Sequence, residues 1–288
     1  FSIMDIAEGD PVYQIVSETA SEEVIEATRE AYGLNDPFLV RYARYMINLC
    51  KGSMGTSYIT KQDVFKTYME LLPNTVKLSL LAVVIAIIVS IPLGINAAIH
   101  QNTWADTGSM FTSLLFVSMP QFWLGLLLML AFALKLGWFP SGGNEDGLKS
   151  LILPAFTVGI GLAALMTRTT RSSMLETIRQ DYITTAKAKG VSNKNAIYHH
   201  AFKNALIPIV TVGGMQLAQV LGGSVLAETV FSYPGVGRLI VQSIERRDIP
   251  MVTGALILTT IIVSVVNLAT DIVYAFIDPR IKSQYARK

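Results

Sequence analysis

Apolar residues in this chain fall in long uncharged runs, where a water-soluble fold would show one-sided stripes. Residues 76–99 carry a single charge, Lys77, near their start. Residues 110–134, 205–227 and 251–270 carry none, and a shorter run, 151–167, is also uncharged. A helix crossing a hydrocarbon core about 30 Å thick needs about 20 such residues. Buried helices of a large soluble protein would keep polar stripes, and these runs have none. The pattern predicts an all-α membrane protein with five complete spans, at about 76–99, 110–134, 151–167, 205–227 and 251–274. A sixth is expected ahead of them. Residues 1–6 read as the tail of an apolar segment, either a first transmembrane helix or a cleaved signal peptide.

Charge placement gives the expected orientation. Residues 168–204 hold seven Lys/Arg against Glu176 and Asp181, and the tail 278–288 adds Arg280, Lys282, Arg287 and Lys288. Positive segments stay in the cytoplasm, so both are assigned there. The loop 100–106 falls on the same side by span count, although it holds no Lys or Arg. Residues 1–72 carry eleven Asp/Glu against six Lys/Arg, and 7–72 reads as a small helical extracytoplasmic subdomain.

Two short helices are expected in that subdomain. Ser21 or Thr19 caps the first, with Val24, Ala27, Thr28, Ala31 and Tyr32 on one face and Gly33 ending it. Asp36 and Pro37 open the second, whose buried stripe would be Phe38, Tyr42, Tyr45, Met46 and Leu49. Between the last two spans, 228–250 reads as an outer interfacial segment. Pro234 and Gly235 suit the centre of a type II turn. A short amphipathic helix follows, with Val236, Leu239, Ile240 and Ile244 opposite Arg238, Gln242, Glu245 and Arg246.

Composition agrees with a membrane protein and removes the enzyme readings. Mean hydropathy is +0.46, and charged residues make up 15% where a soluble domain has about a quarter. The lone cysteine, Cys50, excludes an internal disulfide and reads as a small apolar filler. His100, His199 and His200 are the only histidines, and all lie outside the spans. The sequence therefore offers no catalytic residues, no metal ligands, no zinc motif and no intramembrane base. It also lacks a G-x-x-x-x-G-K-[ST] loop, so ATP would have to act through another subunit. No basic block interleaved with aromatics points to nucleic acid.

One cytoplasmic stretch stands out. Asp181-Tyr182-Ile183-Thr184-Thr185-Ala186-Lys187-Ala188-Lys189-Gly190 reads as a helix with lysines at its negative end and a glycine stop. Val191 follows, Ser192 caps a second helix, and Pro208 sits just inside the next span. The pattern D-Y-x-x-T-A-x-A-K-G, followed by H-A-x-x-N-A-L-I-P over His200 to Pro208, resembles the coupling segment of dipeptide/oligopeptide ABC importer permeases. The match extends along the chain: Gly9-Asp10-Pro11, Pro73-Asn74-Thr75, Ser118-Met119-Pro120, Arg168-x-x-Arg171, Pro234-Gly235-Val236-Gly237 and Asp278-Pro279-Arg280 also fit that family.

The resemblance implies a type I ABC importer transmembrane fold and the first, B-type, of two permease subunits, in a bacterial or archaeal cytoplasmic membrane. It implies a second homologous permease, two ABC ATPase subunits carrying ATP and Mg, and an extracytoplasmic substrate-binding protein. The chain itself would bind no cofactor. The coupling segment is 181–204, with Asp181, Tyr182, Thr184, Thr185, Ala186, Lys187, Lys189, Gly190, Val191 and Ser192 facing the ATPase. Thr184 stands where many permeases have Glu, so no salt bridge is carried over for it.

Polar residues inside spans, Gln216, Gln219 and Asn267, are candidates for the translocation path or for interhelical hydrogen bonds. Glu228, Pro234, Gly235, Gly237 and Asp248 mark an outer turn or gate. Pro120, Pro154, Pro208 and Gly213-Gly214 are candidate bends. Peptide is the expected substrate, with nickel, glutathione or a metal–chelator complex as alternatives. A secondary transporter or channel needing no ATPase is the rival class, but no charge sits at a span centre to support it.

Overall fold

The computed structural model describes residues 10–16 and 20–277. The expected span tail at 1–6, Gly9, Thr19 and the tail 278–288 lie outside the described residues. Short helices come first: α1 (Val12–Ile15), α2 (Glu22–Ala31) and α3 (Phe38–Cys50). The long α4 (Val64–Ile99) follows, then α5 (Trp104–Ser118) and α6 (Gln121–Leu128), which continues as a π-helical stretch, Met129–Lys135. Next come α7 (Leu148–Ile178) and the short α8 (Asp181–Ala188). α9 (Asn193–Asn195), a second π-helical stretch Ala196–Ala201 and α10 (Phe202–Gly223) form one rod. α11 (Val225–Val230), α12 (Val236–Glu245) and α13 (Ile249–Ile277) complete the order.

α4, α7, Asn193–Gly222 and Ile249–Val273 are each long and apolar enough to cross a membrane. The uncharged run expected as one span at 110–134 is broken instead. α5 and the helix after it meet at 97°, so they make a fifth span only as a bent pair. Met119 and Pro120 explain the bend, since both have ψ near 129°, outside the helical range. Proline has no N–H to give and pushes the residue before it out of helix. Pro154 and Pro208, by contrast, sit inside α7 and α10 without ending them.

α4 starts well before position 76, because Asp63 accepts the Lys66 N–H at 2.9 Å and caps its first turn. At about 1.5 Å per residue, its 36 residues make a rod far longer than a bilayer core is thick.

Internal packing divides the chain into two units. One comprises the described residues up to Thr75 with Pro234–Ile261, the other Val76–Tyr233 with the described residues from Ile262 onward.

In the second unit α7 is central. Of its most apolar stretch 72% is buried, against 39% for each of the other three long apolar helices. Its hydroxyls at Thr157, Thr167, Thr170 and Thr177 each bond the carbonyl four residues back, which leaves them satisfied in an apolar setting. Small residues let α4 come close. A Cβ on Gly159 would lie 2.6 Å from the Ala82 carbonyl, and one on Gly94 would lie 2.5 Å from Thr170 Cβ. Three apolar clusters follow along this contact. Leu78 and Ala82 meet Leu151, Ala155, Val158 and Val220; Ala86 meets Ala163, Met166 and Ile209; Ile95 and Ala98 meet Met174 and Ile183.

The first unit joins α2, α3 and their loops to the first turns of α4, to α12 and to the start of α13. Asp10 accepts the Val12 N–H at 2.9 Å and pairs with Arg29 at 2.5 Å. Tyr68 bonds Thr259 at 3.0 Å. A Cβ on Gly254 would fall 2.5 Å from Val64, so α13 and α4 touch closely here.

α2 and α3 form, but their starts differ from expectation: Ser21 stands at the first N-cap without a side-chain bond, and Pro37 takes the second N-cap while Asp36 pairs with Arg44 instead of capping. The stripe expected to be buried is not. No residue of α3 is fully buried, and Tyr42 and Met46 are exposed. The turn before α12 also differs. Gly235 is extended (φ −126°, ψ 178°) and acts as the N-cap of α12, so Pro234-Gly235 is not a type II turn. The positive φ lies at Ser232 (48°).

Candidate functional site

The segment 181–204 folds as a two-helix knob. α8 begins at Asp181 and ends at Lys189, whose N–H reaches the Thr185 carbonyl at 3.1 Å. Gly190 then takes φ +86°, which turns the chain so that the Val191 N–H bonds the Ala186 carbonyl at 3.2 Å. This is the left-handed cap that glycine adopts without steric cost. Ser192 accepts the Asn195 N–H at 3.3 Å and caps the next helix.

The knob is anchored on one side only. Ile183, Ala196, Ile197, Ala201 and Ala205 are buried in the cluster with Ile95, Ala98 and Met174. Burying Ile183 alone is worth about 2 kcal/mol. Tyr182 accepts the Asn204 side-chain amide at 2.7 Å and ties the knob to α10. Asp181, Thr184, Thr185, Lys187, Lys189, Gly190 and Ser192 stay exposed, while Ala186 and Val191 are half-buried. Most of the sequence-predicted coupling residues are thus exposed on a knob whose buried side packs on α4, α7 and α10.

A clamp missed by sequence reading holds the neighbouring loop. Arg171 Nε and Nη2 donate to the two carboxylate oxygens of Asp106 at 2.6 and 2.7 Å. The Asn102 N–H adds a third bond at 3.0 Å, and Arg179 donates to Gln101 at 2.9 Å. The loop 100–106 has no cation of its own; α7 supplies them. One signal was present: Asp106 is the only acidic residue between Glu70 and Glu145.

The pathway candidates separate. Gln216 is buried, at 4% exposure; its Nε2 donates to the Leu162 carbonyl at 3.2 Å, and its Oε1 has no hydrogen-bond partner among the described residues. Gln219 and Asn267 are exposed on α10 and α13.

The outer-turn candidates divide between the units. Glu228, in the second, is fully buried and accepts the Ser224 hydroxyl at 2.8 Å. Burial and the nearby Glu228 carboxylate both push the Tyr233 phenol up from its usual pKa. In the first unit, Pro234 O accepts the Asn74 amide at 2.8 Å and the Val236 N–H bonds Thr75 at 2.9 Å. Gly235 and Gly237 are buried there. Asp248 is buried too, receiving the Ser57 hydroxyl and, at 3.0 Å, the Tyr58 N–H.

Residues 90–283 match the model of the family described as binding-protein-dependent transport system inner membrane component. The chain belongs to that family. The match includes the whole knob, the clamp arginine and the buried Gln216. Over 98% of its length the chain is 40% identical to the dipeptide transport system permease protein DppB of Alkalihalophilus pseudofirmus, covering 93% of that protein. It is 39% identical to the oligopeptide transport system permease protein AppB of Bacillus subtilis, over 98% of the chain and 92% of the relative. It is 36% identical to the glutathione transport system permease protein GsiC of Salmonella paratyphi A, over the same shares.

Among solved structures, the MetNI methionine ABC transporter in inward-facing form superposes with a TM-score of 0.64 at 17% identity, over 74% of this chain and 97% of that one. The fold of this inner membrane component is therefore that of ABC importer transmembrane subunits, a multi-pass membrane architecture.

Proposed function

We propose that the chain is a permease subunit of an ATP-driven importer that carries peptides across the cytoplasmic membrane. The observation that carries this reading is the exposed 181–204 knob, packed through Ile183, Ala196 and Ile197 onto three apolar helices, in a chain without a phosphate-binding loop. Separate ATPase subunits, holding ATP and Mg, press on the exposed face of the knob from the cytoplasm. A homologous second permease completes the path, and an extracytoplasmic binding protein delivers substrate. The C-terminus shares the knob's side.

In this scheme ATPase closure moves the knob as a unit, and the buried cluster passes the motion to α4, α7 and α10. Nucleotide shifts the balance of inward and outward states only by binding them differently. Thr184 carries no charge, so shape around Ala186, Gly190 and Val191 guides docking. Gln216 borders the path, and the relatives named for peptides support that substrate class.

Cysteine crosslinking tests the proposal. Cys50 is exposed and is first replaced by serine. Lys189→Cys and Ser192→Cys then react with the ATPase subunit in membranes through short bifunctional reagents. Failure at both positions across several linker lengths overturns the docking assignment.

A further inference from the structure

The loop 100–106 is held more firmly than a connection between two helices requires. Asp106 accepts three hydrogen bonds, two from Arg171 and one from the Asn102 N–H. Arg179 holds Gln101 at 2.9 Å, and the Thr103 hydroxyl bonds the His100 carbonyl at 2.6 Å. Asn102 sits at φ 62°, a left-handed conformation that asparagine tolerates better than most residues. On this fixed frame Asn102, Thr103, Trp104 and Ala105 are all exposed. Trp104 is 91% exposed, more than any other large apolar side chain among the described residues. Leaving its ring in water forgoes the burial of about 150–250 Å².

The loop stands beside the knob. Ile99, the residue just before it, packs on the cluster that also holds Ile183, Ile197 and Val191. Arg179 lies two positions before Asp181, the first residue of α8, so its bond to Gln101 ties the loop to the root of the knob. Position along α7 gives the depth. Thr167 ends the uncharged run; Arg171 is about 6 Å past it along the axis and Arg179 about 18 Å. The headgroup layer is about 5–8 Å thick on each side. The loop thus runs along α7 out of that layer, on the knob's side of the membrane.

Loops that rest on anionic lipid use Lys or Arg to do so. This loop has neither, and the two arginines next to it bond Asp106 and Gln101. Neutral, rigid and headed by a tryptophan, it has the makeup of a protein contact, where Trp is enriched among the residues that carry the binding energy. We propose that residues 102–105, fixed by Arg171 and Arg179, form a second docking contact for the ATPase subunit beside the knob, with the Trp104 ring buried in that partner. Naming an ATPase as the partner rests on the transport reading above. Arg171 and Asp106 then act as positioning residues for the contact.

Crosslinking in membranes tests this in the complete complex, with Cys50 replaced by serine. Ala105→Cys and Lys189→Cys both react with the ATPase subunit through short bifunctional reagents. Asp106→Asn loosens the loop, lowering the Ala105→Cys yield severalfold and leaving the Lys189→Cys yield unchanged. Trp104→Ala leaves the clamp intact, so it serves even where Asp106→Asn disturbs folding. It weakens binding of the ATPase subunits to the permease pair in nanodiscs by about tenfold.

Linkage at Lys189→Cys with none at Ala105→Cys, across several linker lengths, overturns this contact and leaves the transport reading standing. Linkage at Ala105→Cys alone keeps the contact and removes the knob; linkage at neither removes both. Unchanged ATPase binding in Trp104→Ala overturns the proposal, and an unchanged Ala105→Cys yield in Asp106→Asn overturns the positioning role. Brominated acyl-chain lipids separate a membrane contact from a protein one. The emission of Trp104, read as the difference between complexes with and without Trp104→Phe, stays unquenched where the ATPase covers the ring. Strong quenching puts the ring in the membrane and overturns the proposal.

Discussion

Arg171 on α7 grips Asp106 with a two-pronged hydrogen bond, 2.6 and 2.7 Å, across 65 residues of sequence. The aspartate side chain is 7% exposed and the arginine side chain 25%, so the pair sits largely out of water. The geometry fastens the loop 100–106 to α7, which also runs toward the knob. Removing one partner strands the other's charge in a poorly solvated place. Asp106→Ala is expected to cost about 3 kcal/mol, read as a lowered midpoint of thermal unfolding in detergent. Arg171→Lys keeps the charge but loses the fork, and falls between. Asp106→Ala with Arg171→Met recovers much of the loss, a coupling that a double-mutant cycle measures.

Gly190 is a second test, because its requirement is purely conformational. At φ +86° nothing lies within 4 Å of where a Cβ would stand. Gly190→Val therefore meets no steric neighbour and suffers only the left-handed backbone, a cost of about 1–2 kcal/mol. Gly190→Asn adopts that conformation more readily. Membrane levels stay unchanged in both, while substrate-stimulated ATP hydrolysis by the assembled complex drops in the valine variant and survives in the asparagine one. Equal activity in both would falsify the role of the turn in coupling.

Gln216 separates a path role from a packing role. Gln216→Met preserves volume and removes one 3.2 Å bond to Leu162, a loss of about 1 kcal/mol in a membrane setting. Unfolding in detergent hardly moves, yet peptide uptake in proteoliposomes falls severalfold. Uptake tracking stability alone would return the residue to packing.

Tyr58 gives a pH signature in the first unit. Burial chiefly, and then the Asp248 carboxylate, raise its phenol above the usual tyrosine value near 10. A raised folded-state pKa means that stability is fully present below the unfolded value and is lost as pH rises through the folded one. The subdomain therefore weakens above about pH 10. Asp248→Asn removes a repulsion and moves the Tyr58 titration down, seen as the ultraviolet difference against Tyr58→Phe in each background. An unmoved titration would show that the carboxylate has no electrostatic reach to the ring.

Local features were readable from the residues themselves. The helix stops at Gly33 and Gly190 and the cap at Ser192 depend on backbone preferences within a few positions. Pro120 was readable as a bend, although not its 97° size, because the angle also depends on Met119 leaving the helix. The type II reading of Pro234-Gly235 missed for a similar reason. Ser232 took the positive φ, and Gly235 was needed extended to begin α12 beside Thr75.

Long uncharged runs and the glycine stop at 190 determined, from sequence alone, a helical membrane protein with a two-helix knob after Asp181. Only the tertiary structure decided which polar residues meet. It paired Asp106 with Arg171 and buried Gln216 while leaving Gln219 and Asn267 exposed. The reason is register. Where one helix crosses another is set by close approaches such as Gly94 on Thr170 and Gly159 on Ala82, and those contacts join positions that no short-range pattern links.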